Sequence, residues 1–394
     1  MDVPILTDGR VTLRALDDRD LAGVLEQCTD PLSIEWTNVP VPFGLPDAMT
    51  FVHEIAPGAW TDGSQWIFCV DAGQGGLPDG SHYAGNIALR DEGDGVAEIA
   101  YGAHAAARGT GVMEAGLRLL IEWGFAQRGV QTIVWRANVG NWASRKLAWR
   151  LGFSLDGVLR RSHVFRGELT DAWVGTLVAG EPTQPSGRWL QVPVLEGDGL
   201  RLRPFTEADA PRVVEACSDD TTQHWLGRMP SPYTADDALA WIRSHTERLA
   251  TGTAVTWAVT DPATDQVLGA VNVFDIAETD AEVGYWSHPD ARGRGVTRTG
   301  VRLVTSWAFA ELGLRRVRAV AAVDNTASRR VIEASGFRQT GEERQATFVR
   351  DGLADVALYD VLAEEWARRW STAESTTTSS PDTDSAMPTS AGAR

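Results

Sequence analysis

The chain contains one pattern twice, and any fold it adopts must accommodate both copies. Ala107-Arg108-Gly109-Thr110-Gly111-Val112 is matched 184 positions later by Ala291-Arg292-Gly293-Arg294-Gly295-Val296. The same offset carries Glu98 to Glu282, Tyr101 to Tyr285, His104 to His288, Asn141 to Asn325, Ser144 to Ser328 and Gly152 to Gly336. The repeat divides the 394 residues into two domains of one fold, 1–180 and 191–370. Residues 181–190, rich in Gly, Pro and Ser, read as a linker. The Ser, Thr, Pro and Asp stretch at 371–394 reads as a disordered tail.

Each glycine turn opens a helical pattern. Val112, Gly116, Leu119, Leu120 and Trp123 recur at helical spacing, as do Val296, Gly300, Leu303, Val304 and Trp307. The first N–H groups of a helix lack internal partners and carry the positive end of its dipole, so an anion is held there without a dedicated side chain. Glycine lets a ligand approach the backbone, and Arg108, Arg292, Arg294 and Arg298 are the cations nearest each turn. The competing reading is a tight connection alone; two copies in matching context weigh against it.

A net charge of −17 argues against nucleic acid as partner, so an anionic ligand would need local cationic wells. Cys28, Cys69 and Cys217 have no metal-ligand or disulfide spacing, and Cys28 and Cys217 fall in apolar helical patterns as small core residues. The sixteen tryptophans are expected mostly in cores or pockets. No apolar run approaches the ~18 residues of a membrane span, and the N-terminus lacks a signal pattern, so a cytoplasmic protein without metal or membrane contacts is expected.

Along each copy, an alternating strand (Val11–Arg14; Leu200–Arg203) precedes an amphipathic helix, a Pro-containing loop and a second helix. Strands follow at Gln65–Asp71 and His82–Arg90, and at Val255–Asp261 and Gln266–Phe274. The strands Val96–Gly102 and Ala281–Trp286 lead into the glycine turns. After each turn helix come another strand, a short helix opened by Asn141 or Asn325, and a single last strand region at Ala172–Leu177 or Val356–Leu362.

The order of strand, Arg-Gly-x-Gly, helix, strand, Asn-x-x-Ser, helix and Gly-Phe resembles the GNAT superfamily of acetyl-coenzyme A dependent N-acetyltransferases. Ala281-Glu282-Val283-Gly284-Tyr285-Trp286, Arg292-Gly293-Arg294-Gly295-Val296 and Asn325-Thr326-Ala327-Ser328 look like its RimJ/RimL branch. The resemblance implies an α/β (α+β) fold, two tandem domains each built on a mixed sheet whose central strands splay and are flanked by helices. It implies acetyl-CoA or another acyl-CoA as cofactor. The pyrophosphate would lie on the amides of Arg108, Gly109, Thr110, Gly111, Val112 and Met113, and of Arg292, Gly293, Arg294, Gly295, Val296 and Thr297. The thioester carbonyl would face N–H groups at Ala100, Tyr101 and Gly102, and at Gly284, Tyr285 and Trp286. Met113 and Thr297 depart from the small residue usual at the sixth motif position.

Acyl transfer to an amine needs a proton acceptor for the ammonium and a proton for the departing thiolate. Glu98 and Glu282 are the candidate bases and Ser144 and Ser328 the candidate thiolate partners; a solvated strand carboxylate and a helix-capping hydroxyl are the respective alternatives. Asn141 and Asn325 are expected to cap their helices and to bond pantetheine. His104 and His288 are expected to be structural or pocket-lining. The expected acceptor is a primary amine of a peptide, protein or small molecule. An acyl carrier protein as donor, one degenerate copy beside one catalytic copy, and an acyl-CoA-binding module without turnover stand as alternatives. The copies are expected to form an intramolecular pseudo-dimer, with further oligomerisation left open.

Overall fold

A computed structural model describes residues 3–73 and 75–374. Most of the expected disordered tail, 375–394, therefore lies outside the described residues. The chain divides into two compact units, Met1–Ser186 and Gly187–Arg394. In the first, the elements are β1 (Leu6–Thr7), β2 (Thr12–Arg14), α1 (Leu21–Thr29), α2 (Pro31–Trp36), α3 (Leu45–Thr50), α4 (Ala56–Asp62), β3 (Gln65–Asp71), β4 (Tyr83–Gly93), β5 (Val96–Ala103), α5 (Val112–Gln127), β6 (Thr132–Asn138), α6 (Trp142–Arg150), β7 (Ser154–Phe165) and β8 (Glu168–Val178). In the second they are β9 (Leu195–Gly197), β10 (Leu200–Arg203), α7 (Ala210–Cys217), α8 (Asp220–Trp225), α9 (Ala235–Ala250), β11 (Ala254–Thr260), β12 (Val267–Phe274), β13 (Asp280–Ser287), α10 (Val296–Leu312), β14 (Arg316–Ala322), α11 (Thr326–Ala334), β15 (Arg338–Val349), β16 (Gly352–Leu362) and α12 (Ala363–Glu374).

Each unit holds one eight-stranded sheet, ordered β1-β2-β3-β4-β5-β6-β8-β7 in the first and equivalently in the second. Every neighbouring pair is antiparallel except β5–β6 and β13–β14, which are parallel because a helix crosses between them. That helix covers one face of the sheet. Leu117, Leu120 and Ile121 of α5 join Phe68, Ile87 and Leu89 in the first core, and Val301 and Val304 of α10 join Val271, Val273 and Val283 in the second. A glycine lets each helix approach closely: a Cβ on Gly116 would lie 3.1 Å from Val70 Cγ1, and one on Gly300 3.0 Å from Val271 Cγ2. The tryptophans largely enter these cores, with Trp257 and Trp307 meeting edge-on at 4.9 Å. The three cysteines are buried thiols, and burial pushes Cys28 up to about 11.

The expectation of a single closing strand is corrected: β7 and β15 are full strands, each hairpin-paired with the strand that follows. They were illegible because they sit at a sheet edge with mostly exposed side chains, so no alternating apolar pattern marks them. Helix α12 was likewise unanticipated and runs through Glu374, four residues into the stretch read as tail. The linker residues are tied down at both ends of the stretch, where Arg118 Nη1 donates to the Thr183 carbonyl (2.5 Å) and Leu190 N–H to the Leu249 carbonyl (2.9 Å). A π-helical turn at Phe51–Ile55 absorbs one residue that the first copy carries between Gly44 and Gly63 and the second lacks between Thr234 and Gly252. Among the described residues no helix is long and apolar enough to cross a membrane.

One buried ion pair recurs. Arg14 grips Asp20 through two 2.8 Å hydrogen bonds, and Arg203 grips Asp209 identically, pinning β2 and β10 to the helix that follows. Burial alone would raise the Asp20 carboxyl, but the Arg14 hydrogen bonds outweigh it and hold the carboxyl below its usual range. Asp20→Ala, which removes two hydrogen bonds from buried Arg14 and leaves it Asp71 as its remaining close carboxylate, is expected to destabilise the first unit by about 3 kcal/mol in denaturant titration. Asp17→Ala, at an exposed pair with Arg19, should cost well under that. Because the folded pKa is lowered, the stability supplied by Asp20 is present above the unfolded carboxylate pKa and should be lost as pH falls through the folded value.

Candidate active site

Both glycine turns have the same construction. His104 accepts the Ala106 N–H on Nδ1 (3.3 Å) and pairs with Glu26 through Nε2 (3.0 Å), starting a 3₁₀ turn at Ala105–Ala107; His288 repeats this with Asp290 and Glu215. The histidines are thus structural. Gly109 and Gly111 follow at φ +75° and +80°, and Gly293 and Gly295 at +75° and +78°, values that favour glycine. Nothing lies within 4 Å of where a Cβ would stand on Gly109, Gly293 or Gly295, so the backbone ahead of each helix is approachable. Thr110, Val112 and Met113, like Arg294, Val296 and Thr297, occupy the turn and the first helical residues.

The expectation that Arg108 and Arg292 offer their charge to a ligand is corrected. Arg108 bonds Asp30, the N-cap of α2, and Ser33 Oγ; Arg292 bonds Asp219, the N-cap of α8, and Thr222 Oγ1 (2.9 Å). The cation beside the first turn is Arg10, whose Nη2 donates to the Thr110 carbonyl (2.5 Å). Its repeat equivalent is Gly199, and the second turn carries Arg294 and Arg298 instead, both exposed. That exchange of arginines between the copies was the available signal for Arg10.

Beyond the turns the parallel strands part. The β5–β6 ladder pairs only Val96–Ile99 with Thr132–Trp135, and β13–β14 only Asp280–Glu282 with Arg316–Arg318. Ala100, Tyr101 and Gly102, and Gly284, Tyr285 and Trp286, therefore sit on the parted strands, each still anchored on its other edge by β4 or β12. The short helix beside each split is capped as expected: Asn141 Oδ1 accepts the Ser144 N–H (3.1 Å) and Asn325 Oδ1 the Ser328 N–H (3.0 Å). Each serine hydroxyl lies 2.8 Å from a tyrosine hydroxyl of the parted strand, Ser144 from Tyr101 and Ser328 from Tyr285. Burial pushes both phenols up to about 12, so they stay protonated at neutral pH. A hydroxyl pair beside a strand with free backbone groups can receive a carbonyl oxygen and protonate a departing anion.

The copies then differ. In the first, Trp135 bridges the split: its indole N–H donates to Tyr101 Oη (3.1 Å) and Ser144 Oγ (3.0 Å). Ala319 stands at that place in the second. Glu98 lies between Arg90 (3.6 Å) and Arg136 (3.4 Å), whereas among the described residues Glu282 pairs with Arg318 alone, at 3.5 Å. Burial raises the Glu282 carboxyl above its usual range, with Arg318 opposing. Trp135, Arg90, Arg136 and Arg318 were all passed over in the sequence, where their mark is the departure from repeat symmetry.

Comparison with known proteins gives this geometry a family. The family model described as an acetyltransferase (GNAT) domain matches residues 10–154 and again 199–338, more than half of the chain. The chain is 27% identical over 172 residues to the uncharacterized N-acetyltransferase YoaA of Bacillus subtilis, covering 43% of this chain and 97% of that protein. It is 37% identical over 93 residues to the putative ribosomal N-acetyltransferase YdaF of Bacillus subtilis, covering 24% of this chain and 51% of the relative. Among solved structures it resembles Mycobacterium smegmatis RimJ in complex with CoA-disulfide, at 21% identity and TM-score 0.41, over 46% of this chain and 94% of that one. With two family matches on two parted sheets, the chain belongs to the GNAT acetyltransferase family and carries the domain twice.

Proposed function

We propose that the protein transfers an acetyl group from acetyl-CoA to a primary amine, and that the C-terminal copy carries the turnover. The observation that bears the assignment is the depth of the split. In β13–β14 it opens directly after Glu282 and faces Ala319, whereas in β5–β6 it opens one residue later and is bridged by Trp135. The open amides ahead of α10, with Arg294 and Arg298, would hold the phosphates, and the parted β13 with Asn325 would receive pantetheine. The cofactor supplies the activated acyl carbon. Glu282 takes a proton from the ammonium, whose lone pair then forms the C–N bond. N–H groups between Gly284 and Trp286 face the carbonyl oxygen as the C–S bond breaks. Ser328, backed by Tyr285, delivers a proton to the thiolate sulfur, and the second proton lost by nitrogen replaces it. Relatives named for ribosomal substrates support a protein amine as one acceptor class, and three buried free thiols support a reducing, cytoplasmic site of action.

Calorimetric titration of acetyl-CoA into the intact protein tests the assignment. The expected stoichiometry is near one, abolished by Gly295→Asp and kept in Gly111→Asp; aspartate tolerates positive φ and sets a negative charge where phosphate would lie. A stoichiometry of two, one site lost per variant, would contradict the single-copy assignment, and no binding would sink the donor. Glu282→Gln is expected to lower kcat about 10²–10⁴-fold, with Glu98→Gln within a few-fold of the parent. Since the Glu282 pKa is raised and its ionised form is the base, kcat/KM should fall as pH drops through a value above the ordinary carboxylate range, and that limb should vanish in Glu282→Gln.

A further inference from the structure

Resting on that reading, the acceptor can be narrowed. An amine that surrenders its proton to Glu282 approaches the sheet face that bears Glu282. Strand alternation puts Gly284 and Trp286 on this face, while Val283 points beneath α10. Here Phe274 stands opposite Glu282 in the ladder and leans over the bare backbone of Gly284, 3.0 Å from where a Cβ would be. On the other side of Gly284, Trp286 meets Trp241 and Phe205 at ring-centroid distances of 6.2 and 6.4 Å, and those two pack edge-on at 5.0 Å. All four rings are only partly buried. Behind them His245 is 8% exposed, 4.5 Å from the Trp241 ring, and its Nε2 has no hydrogen-bond partner among the described residues. A buried polar atom left unpaired is costly, so its persistence beside a partly open aromatic wall points to a ligand edge that pairs with it.

The N-terminal copy shows that the scaffold does not demand this wall. Leu16, Arg90 and Gly102 stand where Phe205, Phe274 and Trp286 do. A Cβ on Gly102 would collide with Gln27 Nε2 at 2.4 Å, and Gln27 is held by Tyr83, whose hydroxyl donates to its Oε1 (2.9 Å). The same face carries Leu16, Phe51 and Arg90 in one copy, Phe51 standing where Trp241 does, and four aromatic rings in the other.

We propose that the C-terminal copy selects a primary amine joined by a short chain to an aromatic ring, the ring stacking between Phe274 and the Trp241–Trp286 pair. The test uses the intact protein with acetyl-CoA, following thiol release with tryptamine, a tetrapeptide beginning with phenylalanine, and n-butylamine. Tryptamine or the peptide should exceed n-butylamine in kcat/KM by at least about tenfold, and whichever leads identifies a free arylalkylamine or an aromatic N-terminus as the source. Trp241→Leu and Phe205→Leu should collapse that ratio mainly through KM, Trp241→Phe should restore most of it, and the Kd of tryptamine for the donor-free protein should weaken in parallel. Equal use of n-butylamine, or a ratio unmoved by both leucine variants, overturns the aromatic acceptor while leaving acetyl transfer intact. A shift in the preference for hexanoyl-CoA over acetyl-CoA, with the acceptor ratio unchanged, would instead assign the wall to the acyl chain and overturn the proposal. Failure of every amine to raise thiol release above the amine-free background would sink both this proposal and the reading beneath it.

Discussion

Two parallel strands that begin as partners and then separate set the terms for each unit. Backbone N–H and C=O groups on the inner edges of β5 and β6, and of β13 and β14, are withdrawn from the ladder where regular sheet would pair them. Unpaired backbone groups are tolerated only if something else satisfies them or if the chain is held rigidly enough to keep them exposed. Here each parted strand keeps a complete antiparallel neighbour, β4 for β5 and β8 for β6, so the gap is fixed in shape and not a frayed edge. The glycine turn, the asparagine cap and the serine–tyrosine pair all border this gap.

The two copies treat the gap differently while conserving core volume. Trp135 registers with Gly175 across β6–β8, and Ala319 with Tyr359 across β14–β16, so a large side chain faces a small one in both, on opposite strands. Bulk exchanged in this way is tolerated because total volume is kept. The polar end of the large side chain moves with it. In the first copy an indole N–H points at Tyr101 and Ser144; in the second the Tyr359 hydroxyl turns away to Arg329 and Glu333. A volume-neutral swap thus gives the serine–tyrosine pair of the first copy an indole N–H that the second pair lacks, and the carboxylate environments diverge alongside, Glu98 between two guanidinium groups and Glu282 beside one.

Features defined by local backbone chemistry were legible from residues alone. The positive φ at Gly109, Gly111, Gly293 and Gly295 and the caps at Asn141 and Asn325 follow from what glycine and asparagine do near helix starts. Contacts between distant segments were not. Arg108 and Arg292 looked like ligand cations because they sit in the turn, yet Asp30 and Asp219, over seventy residues away, claim them. Strands β7 and β15 escaped notice because an edge strand with two wet faces has no apolar period to read.

The sequence by itself determined that one domain is written twice and where the helices behind its glycine turns and asparagine caps start, because these depend on residues within a few positions of one another. Only the tertiary structure decided where the strands part, which guanidinium faces which carboxylate, that Trp135 donates to the serine–tyrosine pair of one copy where the other has Ala319, and that four aromatic rings gather beside Glu282 with an imidazole Nε2 that has no partner among the described residues. Those outcomes depend on strand register and side-chain direction across segments far apart in the chain, and pairwise contact of that kind leaves no periodicity to be read along it.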